Sequence, residues 1–176
     1  MHPIKHFITI TRHRHKVIRY CFKLGIGFQG LFHDLSKYGF TEFWEGAKYY
    51  QGNRSPNAKS REVLGYSKAW LHHKGRNKHH YEYWSDINPL THVYEPVEMP
   101  LRYLKESFAD RIAASRIYAG KSYKDSDPLD YFNRADKYAS MAPKTHETLK
   151  EWLTMLQEKG EKATLKYVKS LKETKR

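Results

Sequence analysis

Gly30–Phe40 reads GLFHDLSKYGF, and within it the doublet His33–Asp34 sits among Leu31, Phe32, Leu35, Tyr38 and Phe40. A histidine and an aspartate in apolar surroundings are expensive to bury unless they are paired or coordinated. The pattern predicts a helix over about Gln29–Lys37, stopped near Gly39. Adjacent helical residues diverge by ~100°. Both side chains therefore reach one ion only if it lies between them, close to the helix surface. Lys37 follows Asp34 by three residues and His33 by four, so it projects on the same side and can hold a phosphate there. A helix whose solvated face simply carries His, Asp and Lys would read the same way.

Working outward, a preceding helix is predicted from about Ile8 to Leu24, ending at Gly25, with Ile10, Val17, Cys21 and Leu24 on or near one face. His13 stands one turn before Val17, which favours it over His15 as an inward-facing residue, with His6 a weaker candidate. Downstream, Thr41 is placed to cap a helix over Glu42–Tyr50 whose acids suit the helix dipole. Gly52–Ser60 reads as a disordered loop. A helix from about Ser60 pauses at Gly75, His79–Trp84 forms a short helix or turn, and Asp86–Met99 is irregular. Pro100 opens a long helix to about Tyr118, with Gly120 as its terminator. Leu101, Leu104, Phe108 and Ile112 lie on one side of it and Ala113, Ala114 and Ile117 on another, so it is central and buried. Asp127–Pro128 starts a helix over Leu129–Tyr138; Pro143 opens another through Gln157, closed by Gly160; a basic helix covers Glu161–Lys172. Sustained period-two alternation is missing, so the fold class is all-α, a bundle of about 6–8 helices.

Two further stretches carry chemistry. AWLHHKGRNKHHYEYW, Ala69–Trp84, holds four histidines with Asn77 and several aromatics. His72 with His79, or His73 with His80, are seven apart: two turns along one helix face, or the flanks of a loop at Gly75. The spacing leaves open which member of each pair points inward. Asp110 lies mid-helix in KESFADRIAAS. A buried carboxylate there needs a partner, and a salt bridge to another helix would serve as well as an ion.

Composition bounds the rest. Lysine and arginine number 32 against 19 aspartates and glutamates, a formal charge of +13, which suits phosphates, nucleotides or nucleic acid. Much of the excess follows Lys144, at Lys159, Lys162, Lys166, Lys169, Lys172, Lys175 and Arg176. There it alternates with glutamates and also fits a solvated surface. The single cysteine, Cys21, excludes an internal disulfide and a thiolate-rich zinc site. No apolar run approaches the ~18 residues of a membrane span, and MHPIKHFITITRHRHK has no continuous apolar stretch of the secretory type. A cytoplasmic protein with no membrane partner is expected. Histidine is the commonest metal ligand, and this chain has eleven.

The order His13, then His33–Asp34 with Lys37, then a histidine-rich segment, then Asp110 resembles the signature of the HD metal-dependent phosphohydrolase superfamily. HDLSK is similar to its HD-x-x-K. H-H-x-x-x-N-x-H-H-x-x-Y-W is similar to a small family of HD-like bacterial and phage proteins sometimes labelled "catalase". The resemblance covers roughly residues 10–118 and implies an HD-domain-like helical bundle in residues 1–142, with the basic helices of 143–176 packed on it or extending from it. It implies one or two divalent transition ions (Mn, Fe, Co, Ni or Zn) held by His13, His33, Asp34 and Asp110, with His73 and His80, or their neighbours His72 and His79, as the extra histidines. Asp34, Lys37 and Asn77 would then be catalytic. Lys37, Arg76, Asn77, Lys78, Tyr83 and Trp84 would bind a small phosphorylated substrate such as a nucleotide. Two rivals follow: an HD-type di-iron oxygenase, and a basic helical module that binds nucleic acid. A haem catalase is disfavoured, because one axial ligand would leave the other histidines without a task.

Overall fold

The computed structural model describes residues 1–136 and 140–173. The expected helix end at Tyr138, and Lys175 and Arg176 of the basic tail, lie outside the described residues. Eight α-helices are described: α1 (Pro3–Lys23), α2 (Gly27–Gly30), α3 (Phe40–Lys48), α4 (Pro56–Leu64), α5 (Lys68–Lys74), α6 (Leu101–Ala119), α7 (Asp127–Asp136) and α8 (Pro143–Ser170). A two-stranded antiparallel hairpin, β1 (Ser85–Ile87) with β2 (Tyr94–Pro96), pairs Asp86 with Glu95. The molecule is an all-α bundle with one small hairpin.

α1 is a stripe helix: His6, Ile10, His13, Val17, Tyr20 and Cys21 are buried, stepping by three or four residues. It begins earlier than its apolar periodicity suggested, because Pro3 suits the first turn. α6 is the central element, with Leu104, Phe108, Ala109, Ile112 and Ala113 buried among other residues. α8 contributes Leu149, Trp152, Leu153, Leu156, Leu165 and Val168 to the same core cluster as Val17, Cys21 and Phe108. Trp152 meets Phe108 edge-on, centroids 5.7 Å apart, a favoured aromatic arrangement. The anticipated break at Gly160 is present: its backbone leaves helical geometry there (φ 75, ψ 169). Lys105, buried on α6, donates to the carbonyls of Lys169 and Leu171 and so closes the end of α8. Lys159, Lys162, Lys166 and Lys169 are exposed on α8, opposite Leu165 and Val168.

Four local expectations are corrected. Gly52–Ser60 is not a loop throughout, because Pro56 opens α4. The single helix from Ser60 to Gly75 is two. Gly65 adopts a left-handed φ of 79 that terminates α4, and the Ser67 side chain accepts from the Trp70 N–H to start α5. The irregular Asp86–Met99 stretch contains the hairpin. Finally, the helix over Gln29–Lys37 does not form. α2 stops at Gly30, and a 3-10 turn covers Leu35–Tyr38 only after Asp34 has taken a left-handed φ of 55. A Cβ on Gly30 would lie 2.4 Å from the Cβ of Cys21, so only glycine lets this turn press against α1.

Candidate metal centre

The left-handed turn at Asp34 decides the site. In a helix His33 and Asp34 would diverge; here the turn brings His33 Nε2 within 3.2 Å of Asp34 Oδ2. Asp is among the few residue types that accept this backbone region readily. Arg14 of α1 secures the turn, donating from Nε to the His33 carbonyl at 3.1 Å and from Nη2 to that of Leu31.

Around Asp34 the fold gathers side chains from four separate stretches. On the Oδ2 side stand His13 Nε2 at 3.6 Å, His33 Nε2, and Lys37 Nζ at 2.5 Å. Asp110 joins them, its Oδ1 2.9 Å from His13 Nε2 and 3.6 Å from His33 Nε2. On the Oδ1 side stand His73 Nε2 at 3.3 Å and His79 Nε2 at 3.4 Å. His80 completes that side: donor atoms of Asp34, His73, His79 and His80 all lie within 4.8 Å of one another, as do those of His13, His33, Asp34 and Asp110. Two four-residue groups thus share Asp34.

Lys37 with Asp34 and His13 with Asp110 meet as ion pairs, but hydrogen bonds do not account for the cluster. Nε2 of His13, His33, His73, His79 and His80, and both oxygens of Asp34, are buried with no hydrogen-bond partner among the described residues. Each unsatisfied buried polar atom costs ~1–3 kcal/mol. Seven such atoms converging on two positions, rather than aligned on one another, make a donor set that fits divalent cations. Burial works against ionising Asp34, yet His33, Lys37 and His73 outweigh it and hold the carboxyl well below its usual range. Asp110 behaves alike, with His13 and His33 opposing the burial. Burial, reinforced by His79 and His73, holds His80 well below the usual imidazole value. Burial and His33 lower that of His79 as well. Both therefore present neutral imidazoles, the form that ligates metal.

A second ring of carboxylates orients the imidazoles. Glu106 Oε1 accepts from His33 Nδ1 at 2.8 Å and lies 3.3 Å from His79 Nδ1, while its Oε2 accepts from Gln29 Nε2. One carboxylate thus steadies a histidine from each group. Burial opposes its ionisation, but the two histidines bring it down to about 2. Glu42 Oε2 accepts from His73 Nδ1 and its Oε1 from His72 Nδ1, both at 2.7 Å. Such partners fix the tautomer and aim the opposite nitrogen inward.

Of the residues singled out in the sequence, the structure brings together His13, His33, Asp34, Lys37, His73, His80 and Asp110. It places His79 beside them rather than leaving a choice within each pair, because α5 ends at Gly75 and the following turn carries both imidazoles inward, their centroids 4.2 Å apart. His72 faces away, toward Glu42. Asn77 donates to Ser36 Oγ and to the His73 carbonyl, so it braces the site. Arg76, Lys78, Tyr83 and Trp84 engage elsewhere. Arg76 caps the His72 carbonyl. Lys78 lies over the rings of Tyr83 and Tyr103, and Trp84 donates to the Lys78 carbonyl. Sequence reasoning missed Glu42 and Glu106; Glu106 stands four residues before Asp110 on α6, a helical spacing that signals a shared face.

Comparison with known proteins adds one finding. The model of a family described as being of unknown function, DUF5662, matches residues 2–155. The chain belongs to that family. The matched span contains every residue of the cluster, from His13 to Asp110, and stops within α8. No curated protein and no solved structure matches.

Proposed function

We propose that this chain is a cytoplasmic, divalent-metal-dependent phosphohydrolase of HD type, acting on a small phosphorylated substrate. The observation that carries the reading is the convergence of five imidazole nitrogens and both Asp34 oxygens, buried and without a hydrogen bond among the described residues, on two adjacent positions. His13, His33, Asp34 and Asp110 would hold one ion, and Asp34, His73, His79 and His80 a second. Histidine-rich donors favour Mn, Fe, Co, Ni or Zn over Mg. Ions so bound acidify a water and polarise a phosphoryl oxygen.

The chain's own residues supply the rest. Lys37 offers an ammonium beside the shared carboxylate, where a phosphate's charge is to be neutralised. Its side chain is 28 % exposed and that of Asp110 19 %, whereas those of His33, Asp34, His73 and His79 are sealed. Substrate therefore approaches from the Lys37–Asp110 side. Glu42, Glu106 and Asn77 keep the imidazoles in position. The ordered set His13, His33–Asp34 and Asp110 supports the HD assignment by analogy.

The test is phosphate release from a panel of phosphomonoesters by protein loaded with Mn, Co or Zn. Wild type is expected to release phosphate, and Asp34→Ala and Lys37→Ala to fall at least ~100-fold, the scale set by electrostatic residues at other active sites. A panel with no release under any loading overturns the proposal. The donor set also suits iron, so a di-iron oxygenase is the second reading; two irons per chain with oxygen-sensitive visible signals would favour it.

A further inference from the structure

Beside the cluster, a cavity of about 70 Å³ is bounded by α1, α3 and α4 and shares Lys37 and Glu42 with it. At ~10–15 Å³ per water-sized position, it takes a group of about five to seven heavy atoms, too few for a purine or a pentose. Its walls are polar but nearly uncharged. Glu42 is engaged by His72, His73 and Ser36, and Lys37, the other charged residue of the lining, is paired with Asp34. The remaining polar lining includes His6, Tyr50, Ser55, Asn57 and Tyr118. Among the described residues the Ser55 hydroxyl and the Asn57 side-chain N–H groups make no hydrogen bond, while the Asn57 oxygen accepts from Ser67.

His6 is the more telling member. Only 6 % of it is exposed, and its Nδ1 is buried with no hydrogen-bond partner among the described residues. Burial, with Lys37 nearby, lowers its pKa to about 4, so it is a neutral ring that can bond to an uncharged hydroxyl. It is also seated deliberately: a Cβ on Gly46 would come within 2.3 Å of His6 Nε2, so α3 carries glycine where the ring packs.

We propose that this cavity is the recognition chamber for the non-phosphate part of the substrate, and that this part is compact, uncharged and hydroxylated, as in a three-carbon polyol phosphate rather than a pentose phosphate or a nucleotide. The proposal rests on the phosphohydrolase reading for the phosphate's position. It replaces the aromatic group Tyr83–Trp84 as the specificity element, since those rings pack on each other and Trp84 on Tyr103.

Ligand-observed NMR with the metal-loaded full chain tests it, using ribose 5-phosphate, glycerol 3-phosphate and AMP as probes, alongside phosphate release from the same compounds. Glycerol 3-phosphate is expected to bind at least tenfold more tightly than AMP and than ribose 5-phosphate, whose sugar exceeds the cavity. Asn57→Ala and Tyr50→Phe, each checked for a native circular dichroism spectrum, are expected to weaken that binding at least tenfold; Ser55→Ala serves should either fail to fold. Binding of this pattern without turnover supports the chamber and sinks the hydrolase. Turnover with AMP or ribose 5-phosphate preferred, or with variants that bind like wild type, overturns the chamber and leaves the hydrolase standing. No binding of any probe overturns the chamber.

Discussion

α1 and α6 pass through two interiors of opposite character. Along one flank, Val17, Cys21, Phe108 and Ile112 are fully buried against Leu149, Trp152 and Leu153 of α8. Along the other, His13 of α1 and Glu106 and Asp110 of α6 face the turn at Asp34. The first flank is complete by itself: shape and area stabilise it, at ~25 cal/mol per Å² of apolar surface removed from water. The second is a frame of satisfied carboxylates around a centre whose ligand atoms, though ion-paired at Lys37–Asp34 and His13–Asp110, make no hydrogen bonds among the described residues. The two flanks should therefore fail differently.

The largest effect expected is loss of metal. Asp34→Ala and Asp110→Ala are each predicted to abolish bound metal while far-UV circular dichroism stays helical, because no hydrogen bond of the frame depends on either side chain; full occupancy in both variants would dissolve the distinction. Next comes Trp152→Ala in the apolar flank, which should cost about 3–5 kcal/mol by urea unfolding while the folded fraction retains its metal. A variant that lost metal first would show that the two flanks are not separable.

Glu106 sharpens the contrast from within the polar flank. Glu106→Ala is predicted to weaken metal binding ~10–100-fold, the usual scale for the partner of a ligating histidine. Glu106→Gln, whose oxygen can still accept from His33 and His79, should lose far less. Equal losses in a metal titration would mean that Glu106 acts by charge and not by aim.

A smaller effect separates His6 from the rest. Its folded pKa is depressed to about 4 from 6.5. The unfolded chain therefore takes up a proton between those values that the native chain refuses, and native stability falls as pH drops through this window. His6→Gln should flatten that part of the pH dependence of the urea midpoint. Superimposable profiles for the two proteins would show that His6 is not held neutral.

The sequence carried the frame more clearly than its closure. α6 was legible as the central helix because apolar residues surround its axis, and the kink at Gly160 because glycine there divides two periodic stretches. The turn at Asp34 was not legible, since an apolar-flanked His-Asp reads equally well as a helix; Arg14 and the close approach at Gly30 are tertiary. His79 and His80 look like alternatives on any regular helix, and only the stop at Gly75 turns both inward. Glu42 read as an acid in the first turn of α3, a role that needs no histidine. The hairpin of Ser85–Ile87 with Tyr94–Pro96 is three residues long on each side, too short for alternation to register.

Elemental analysis of the chain, purified without a polyhistidine tag and dialysed after metal loading, tests the central claim most directly. The account predicts one or two transition-metal ions per chain, displaced in both Asp34→Ala and Asp110→Ala. A natively folded wild-type protein that retains no stoichiometric metal after loading would contradict it.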